Sequence, residues 1–260
     1  MMLVKTFTSH PGPMGPPSLP SRPVTASRKI SQSTVRRLSL YLRALEELAV
    51  GGTESVSSGE LARTAGTSAA QVRKDLSSFG SFGTRGLGYP VSSLLQGLRR
   101  ILGLSRPWTV VLVGAGRIGS ALHAYPHFAE RGFRIVAVLD RDPAKVGVRW
   151  EGTRIRPMEE LETMVAGEGV EMAILALPGA AAQEVTDRLV AAGVRAILNF
   201  APVRLEVPAT VVVNDVNLAL EMEALSFALA RRPGSLGASL GGDGSGSGSR
   251  APLGSEEGPA

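Results

Sequence analysis

The loop Gly114-Ala115-Gly116-Arg117-Ile118-Gly119 has residue types and a spacing that suit the binding of a pyrophosphate. In a G-x-G-x-x-G loop the first glycine permits a tight turn, the second lets the backbone approach the ligand, and the third lets a helix pack on the preceding strand. Free N–H groups at the start of that helix attract the anion. Asp140 follows Gly119 by twenty-one residues, where a carboxylate accepts hydrogen bonds from an adenosine ribose. The pattern predicts a site for NADH and NAD+ rather than for their 2′-phosphorylated forms.

Two further segments are candidates for the same site, because each follows an apolar run that predicts a strand. They are Leu177-Pro178-Gly179 and Asn199-Phe200-Ala201-Pro202. In open parallel sheets, ligands bind at the carboxyl ends of the strands. Amides, an aromatic ring and prolines are suited to holding a planar ring. We therefore expect cofactor contacts from Leu177, Pro178, Asn199, Phe200 and Ala201.

Groups able to carry acid–base or metal chemistry are scarce, with three histidines and no cysteine in the chain. A dehydrogenase needs a proton donor or acceptor beside the hydride site. Lys145 lies in a loop that we expect to be exposed, and His123 and His127, four apart on one predicted helix, lack a third metal ligand. We therefore expect neither catalysis nor a metal site. Two alternatives stay open: an NAD-dependent dehydrogenase with a regulatory N-terminal domain, and a CoA-binding module that uses the same glycine loop, although Asp140 favours NAD.

The glycine loop lies within alternating strand and helix patterns. It follows a buried strand at 109–113 and opens a helix that reaches about residue 131. Further strands are predicted at 133–139, 170–177, 196–200 and 211–213, with a helix at 181–192. Segments of these lengths in alternation form an open parallel sheet with helices on both faces. We therefore predict a Rossmann, doubly wound α/β domain over residues 108–215.

The preceding segment, residues 28–107, differs from it in charge. It carries twelve basic and five acidic side chains, a net +7 in a chain whose net charge is +5, whereas residues 108–260 carry a net −4. Such asymmetry is typical of two domains with different partners, and the basic one suits a polyanion.

Short helices dominate this basic segment. The first is predicted at 34 to about 49. A capping box of Ser57 and Glu60 starts the second, and another box, at Ser68 and Gln71, starts the third, which extends to residue 79. Two short helices joined by a tight glycine turn are typical of a helix-turn-helix. A linking helix at 91–104 follows.

The third helix has an outward face suited to DNA. Counting about 100° per residue places Val72 and Leu76 toward the core and Lys74 at the centre of the opposite face. Long donors beside small residues permit contact with base edges and phosphates. Residues 80–90 predict a β-hairpin, or wing, with Arg85 near its tip, where it suits a minor groove. The expected DNA contacts are Ser68, Gln71, Arg73, Lys74, Ser77, Ser78 and Arg85.

The two ends of the chain have compositions typical of disordered tails. Residues 1–27 are rich in proline and residues 232–260 in glycine and serine, so they offer too little apolar surface to offset the entropy of ordering. The absence of cysteine fits a reducing cytosol, and we expect a cytoplasmic protein. No apolar run is long enough for a membrane span.

Five stretches, taken in order, resemble the Rex family of redox-sensing transcriptional repressors. They are SLYLRALEEL at 39–48, QVRKDLS at 71–77, GTRGLGY at 83–89, GAGRIG at 114–119 and LNFAPV at 198–203. The resemblance implies a homodimer whose winged-helix domains bind a palindromic operator on double-stranded DNA. It also implies that the Rossmann domains sense the NADH/NAD+ ratio, with NADH releasing the DNA.

The resemblance assigns further roles near the domain boundaries. A last helix at about 216–230, apolar on more than one face, would be exchanged between subunits, so that residues 216–231 form a C-terminal dimerisation segment. Arg43 and Tyr125 stand where family members link the two domains. Asn217 stands where the family places an acidic partner near the start of the last helix, and Asp215 lies two residues earlier.

Overall fold

The computed structural model describes residues 30–83 and 86–231, which form two compact units divided between Ser105 and Arg106. No helix in these two ranges is long and apolar enough to cross a bilayer. The first unit contains α1 (Gln32–Val50), β1 (Ser55–Val56), α2 (Ser58–Thr64), α3 (Ala69–Ser77), β2 (Tyr89–Pro90) and α4 (Val91–Ile101).

The core of the first unit forms where the apolar stripe of α1 packs against α4 and against the α2–α3 pair. Its largest buried side chains include Tyr41, Leu42 and Leu45 on α1. The capping box at Ser57 and Glu60 is confirmed, since each side chain bonds the other residue's backbone N–H. The box expected at Ser68 is only half formed, and that part of the prediction is wrong. Ser68 Oγ accepts from the Gln71 backbone, but the Gln71 side chain turns to Asp75 instead.

The predicted hairpin at 80–90 is corrected by the structure. Residues 81–83 form no strand, and β2 pairs instead with β1, in antiparallel register, with Val56 opposite Tyr89. A Cβ on Gly83 would lie 2.7 Å from the Tyr89 ring, so the two segments approach too closely for an ordinary side chain. The wing strand therefore docks on the strand before α2, which ties it to the helix-turn-helix.

The second unit is a seven-stranded sheet with helices on both faces. The strand order is β5-β6-β4-β3-β7-β8-β9, and every pairing is parallel except β5 with β6. This confirms the predicted Rossmann architecture. The elements are β3 (Trp108–Val113), α5 (Arg117–His123), α6 (Pro126–Glu130), β4 (Phe133–Asp140), β5 (Arg149–Trp150), β6 (Thr153–Pro157), a 3-10 turn (Met158–Glu160), α7 (Leu161–Gly167), β7 (Met172–Leu175), α8 (Gly179–Ala191), β8 (Ala196–Asn199), β9 (Val212–Asp215) and α9 (Leu218–Ala230).

The central strand β3 divides its side chains between two apolar clusters. Val111 and Val113 pack with α7 and α8, whereas Val110 and Leu112 face the cluster that α5 and α6 cover. The alternation follows from the two-residue period of a strand. The parallel pairing of β3 with β4 and with β7 places the carboxyl ends of the three strands together at one edge.

The helix expected to run from the glycine loop to about residue 131 is two helices. The first ends at His123 and the second starts with Pro126 at its N1 position, because proline lacks the N–H that would continue the first helix. The two histidines therefore lie on different helices, where His123 packs against Trp150 and His127 pairs with Glu130. Among the described residues, no three histidine or carboxylate side chains come together as a metal site would require.

Helix α9 buries none of its residues. Its apolar side chains are exposed on all sides, from 57% for Leu229 to 65% for Leu218 and Met222. An uncovered apolar helix of thirteen residues is unusual for a soluble monomer.

Candidate cofactor cleft and DNA-binding surface

The glycine loop owes its form to close backbone approaches. Gly114 has φ +106°, and a Cβ there would overlap the carbonyl oxygen of Ala176 at the end of β7. A Cβ on Gly119 would overlap the carbonyl oxygen of Gly114, so only glycine lets α5 pack this closely. Gly116, by contrast, has open space where its Cβ would be. Two glycines are therefore needed by the fold, and the third leaves room beside the start of α5.

Asp140, at the end of β4, is 93% buried, and both of its carboxylate oxygens accept hydrogen bonds. Its carboxylate accepts from the backbone N–H of Ala115 at 2.6 Å and of Asp142 at 2.8 Å, and Lys145 Nζ lies 3.4 Å away. Burial raises the pKa of Asp140, but these backbone donors and the Lys145 ammonium together bring the pKa below its ordinary value. The carboxylate is therefore ionised at neutral pH and fixed beside the glycine loop.

A cavity of about 980 Å³ opens at this edge of the sheet. It is lined by the glycine loop after β3, by Asp140 at the end of β4, and by the segments that follow β7 and β8. The predicted residues that line it are Gly114, Gly116, Arg117, Ile118, Asp140, Leu177, Pro178 and Phe200. Lining residues that we did not predict are Arg141, Asp142, Pro143, Lys145, Met158, Ala176, Ala181, Val185 and Pro202. Lys145 had been expected in an exposed loop, yet it reaches the Asp140 carboxylate.

Four predicted cofactor residues are not among those that line the cavity, although each is adjacent in sequence to a lining residue: Ala115, Gly119, Asn199 and Ala201. Asn199 is fully buried, and its amide donates to the carbonyl of Val203 and to Asp215 while accepting from the Ala201 backbone. These bonds shape the turn after β8 and hold it to β9. Asn199 thus acts on the cavity indirectly, through the turn that presents Phe200.

The predicted DNA-contacting side chains on the outer face of α3 differ in their exposure and in their hydrogen bonds. Lys74 is exposed, and the hydroxyls of Ser77 and Ser78 donate back to its carbonyl oxygen. Arg73 is also exposed and donates to Ser58 Oγ on α2 at 2.9 Å. Ser68 caps the helix. Arg85 lies outside the described residues.

Gln71 does not extend from the outward face as expected, because its amide donates to Asp75 at 2.8 Å. Asp75 is 96% buried and also accepts two hydrogen bonds from Arg37 and one from the Tyr41 hydroxyl. The Arg37 guanidinium outweighs the effect of burial and holds the pKa of Asp75 below its ordinary range. Burial, followed by the bond to Asp75, raises the pKa of Tyr41 to about 12. This Asp75 cluster fixes α3 to α1.

The Asp75 cluster was missed from the sequence. Its signal was present, since Arg37 and Tyr41 are four residues apart on α1, and Asp75 is the one acidic residue of α3. Residues four apart share one helix face, but only the tertiary fold brings that face to Asp75.

The residues expected to couple the domains are each described within their own unit. Arg43 is exposed on α1. Tyr125 lies between α5 and α6, is 48% exposed, and meets the Phe128 ring edge-on. The Asn217 side chain caps α9 by accepting from the backbone N–H of Ala219 and Leu220. Coupling through these residues stays a prediction.

Comparison with known proteins agrees with this two-part organisation. Residues 29–77 match the family described as "Putative DNA-binding protein N-terminus", and residues 105–203 match the family described as "CoA binding domain". The redox-sensing transcriptional repressor Rex of Streptomyces avermitilis is 49% identical over 213 residues, which cover 82% of this chain and 84% of that protein. The chain belongs to the Rex family of redox-sensing transcriptional repressors.

Solved Rex structures match both units of the chain. RSP, a Rex-family repressor, was solved in complex with β-NAD+ and operator DNA, with a TM-score of 0.74, 36% identity, and coverage of 77% of this chain and 93% of that chain. RSP in complex with β-NADH has a TM-score of 0.70 and 34% identity, and the match covers 78% of this chain and 96% of that chain. The names of these Rex relatives describe transcriptional regulators.

Proposed function

We propose that this Rex protein represses transcription by binding a palindromic operator through its first unit, and that NADH bound to its second unit releases it. The observation that carries the proposal is the cleft at Asp140, an ionised carboxylate held beside a glycine loop, in the same chain as a basic helix-turn-helix. Coupling between the two units is thermodynamic: a ligand that favours the DNA-free arrangement binds that arrangement more tightly, and DNA weakens the ligand reciprocally. A hundredfold loss of operator affinity requires about 2.7 kcal/mol of such coupling.

The cofactor would lie along the cavity with its pyrophosphate at the glycine loop and its ribose at Asp140. Gly116 and the start of α5 supply the open backbone that a pyrophosphate needs. The ionised Asp140 supports NADH and NAD+ over 2′-phosphorylated nucleotides, because it would repel the extra phosphate. The nicotinamide would then meet Leu177, Pro178 and Phe200, with Asn199 and Ala201 shaping the turn behind them.

CoA is the second candidate ligand, because residues 105–203 match a family described as a CoA binding domain. CoA also carries a pyrophosphate that suits the glycine loop. Its adenosine ribose bears a 3′-phosphate, however, and a carboxylate at Asp140 disfavours that group. NADH is therefore the ligand that we propose.

We propose that the chain is not an enzyme. The charged side chains that line the cavity are Arg117, Asp140, Arg141, Asp142 and Lys145. All five belong to the glycine loop or to the segment that starts at Asp140. The other lining residues are apolar or proline, so they offer no proton donor or acceptor to a substrate that would exchange a hydride with the cofactor.

Helix α9 supports a homodimer. Its uncovered apolar surface is what a helix held between two protein surfaces needs, and a second copy of the chain is the partner that we propose. The Rex protein would act in the cytoplasm, where operator DNA is available.

The decisive test is a substitution that separates the two activities. Lys74→Ala should weaken binding to a palindromic duplex selected by the wild-type protein, and should lower the slope of log affinity against log salt by about 1 if the ammonium meets a phosphate. NADH affinity, followed by fluorescence, should not change. Arg100→Ala, which removes an exposed charge from α4, is the matched control.

Loss of both activities in the Lys74→Ala variant would contradict the proposed division of labour, as would unchanged operator affinity. Competition of NADPH and CoA against bound NADH completes the experiment. NADH should bind at least tenfold more tightly than either, and equal affinity would remove the role of Asp140 in selection.

A further inference from the structure

A second cavity, of about 540 Å³, lies beside the β5–β6 hairpin and shares no lining residue with the cofactor cleft. Three of its lining side chains are arginines: Arg149 on β5, and Arg154 and Arg156 on β6. Glu160 is the one carboxylate in the lining. The wall of this cavity therefore carries an excess of positive charge.

Two of these arginines face each other across the hairpin. Arg149 and Arg154 are paired in the antiparallel register of β5 and β6. Like charges placed directly opposite each other destabilise a strand pair. A pair chosen only for stability would include an acidic or apolar residue at one of these positions.

The guanidinium groups are poorly neutralised within the protein. The Arg154 side chain makes no hydrogen bond or ion pair with any described residue. Arg149 donates to the carbonyl oxygen of Gly152, which carries no charge. Arg156 lies 3.4 Å from Glu160, and both side chains are more than 40% exposed, an arrangement that contributes little energy.

The turn of the same hairpin is strained. Glu151 has φ +46°, and it is the one described residue other than glycine with a left-handed backbone. A two-residue turn of this kind favours Asn-Gly or Asp-Gly, so Glu151-Gly152 is a costly choice. Both the turn and the arginine pair therefore work against the stability of the free hairpin.

We propose that this arginine cavity binds the phosphate group of a small molecule. Guanidinium groups form paired hydrogen bonds with phosphate oxygens, and three of them against one carboxylate suit a dianion. The bound anion would relieve the repulsion between Arg149 and Arg154. A volume of about 540 Å³ also lies within the range of small-molecule sites, so the phosphate can be free or carried by a sugar.

The test is a calorimetric titration of the full-length protein with inorganic phosphate and with ribose 5-phosphate, at constant ionic strength. Saturable binding to the wild type is expected, with affinity at least tenfold lower in Arg154→Gln. Arg36→Gln, which removes an exposed charge from α1 in the other unit, should bind like the wild type. Tighter binding of ribose 5-phosphate identifies an organic phosphate as the ligand, and equal binding identifies the free ion.

A stability measurement distinguishes a binding role from a structural one. In phosphate-free buffer Arg154→Gln should have a Tm equal to or above that of the wild type, because it removes a like-charge pair. Phosphate should then raise the Tm of the wild type and not that of the variant. The proposal fails if no saturable binding occurs, if Arg154→Gln binds phosphate as tightly as the wild type, or if the variant is destabilised without phosphate.

Discussion

Replacing Asp75 by asparagine tests whether the Asp75 cluster holds the recognition helix. The carboxylate accepts four hydrogen bonds, from Arg37 Nε at 2.7 Å, Arg37 Nη2 at 2.9 Å, the Tyr41 hydroxyl at 2.9 Å and Gln71 Nε2 at 2.8 Å. An asparagine amide would turn its own N–H groups toward some of these donors. Breaking a buried ion pair on one side costs about 3–5 kcal/mol. Because the Arg37 side chain is 26% exposed and can be hydrated by water in the variant, we expect Asp75→Asn to lower the free energy of unfolding by about 3 kcal/mol, at the lower end of that range.

The assay is urea unfolding of the full-length protein followed by far-UV circular dichroism, since the first unit is largely helical. Glu54→Gln makes the same chemical change at an exposed position without a side-chain partner among the described residues, and should change stability little. Asp75→Asn should also weaken operator binding while NADH binding in the second unit persists. If Asp75→Asn lowers the free energy of unfolding by no more than Glu54→Gln does, the stabilising role of the cluster is refuted.

Three further results are expected. Gly119→Ala should destabilise the second unit by about 1–3 kcal/mol through overpacking and should lower its affinity for NADH. The control Gly167→Ala, which has open space at the end of α7, should be neutral or stabilising in thermal unfolding, and equal effects of the two variants would contradict the close approach of Gly119 to Gly114. Because the pKa of Tyr41 is raised to about 12, the contribution of this hydroxyl to stability is complete below its unfolded pKa of about 10 and is lost as the pH rises through 12. The free energy of unfolding of Tyr41→Phe should therefore decline less steeply at alkaline pH than that of the wild type, and an identical decline would refute this. Leu225→Ser with Phe227→Ser should convert a dimer into a monomer in analytical ultracentrifugation, and a persisting dimer would exclude α9 from the interface.

Much of the second unit was predictable because its patterns are local. The apolar run of β3, the glycine spacing and the carboxylate at the end of β4 follow one another along the chain, and each has a local physical reason. The break between α5 and α6 was also readable, since Pro126 cannot continue a helix, but the expected helix ran through it. The β5–β6 hairpin was missed because its strands are short and its turn, Glu151-Gly152, lacks a favoured turn residue.

The parts that could not be predicted depend on distant residues meeting in the fold. The helical angle of Gln71 is compatible with an outward orientation, and only the burial of Asp75 explains why its amide turns inward. Asn199 ends a strand at the expected edge, yet the hydrogen bonds of its amide go to Val203, Ala201 and Asp215 within the protein. Spacing locates such residues near a site but does not reveal which hydrogen bonds they make.

The central claim is that the NADH/NAD+ ratio controls operator occupancy. The most direct measurement is an equilibrium titration of the full-length protein on its selected palindromic duplex, at fixed salt and fixed total nucleotide, across NADH/NAD+ ratios. Fixed salt is essential because phosphate contacts make the affinity strongly dependent on ionic strength. Operator affinity should fall as the NADH fraction rises, and DNA should weaken NADH binding by the same factor. Operator affinity that is indifferent to both nucleotides would contradict the account.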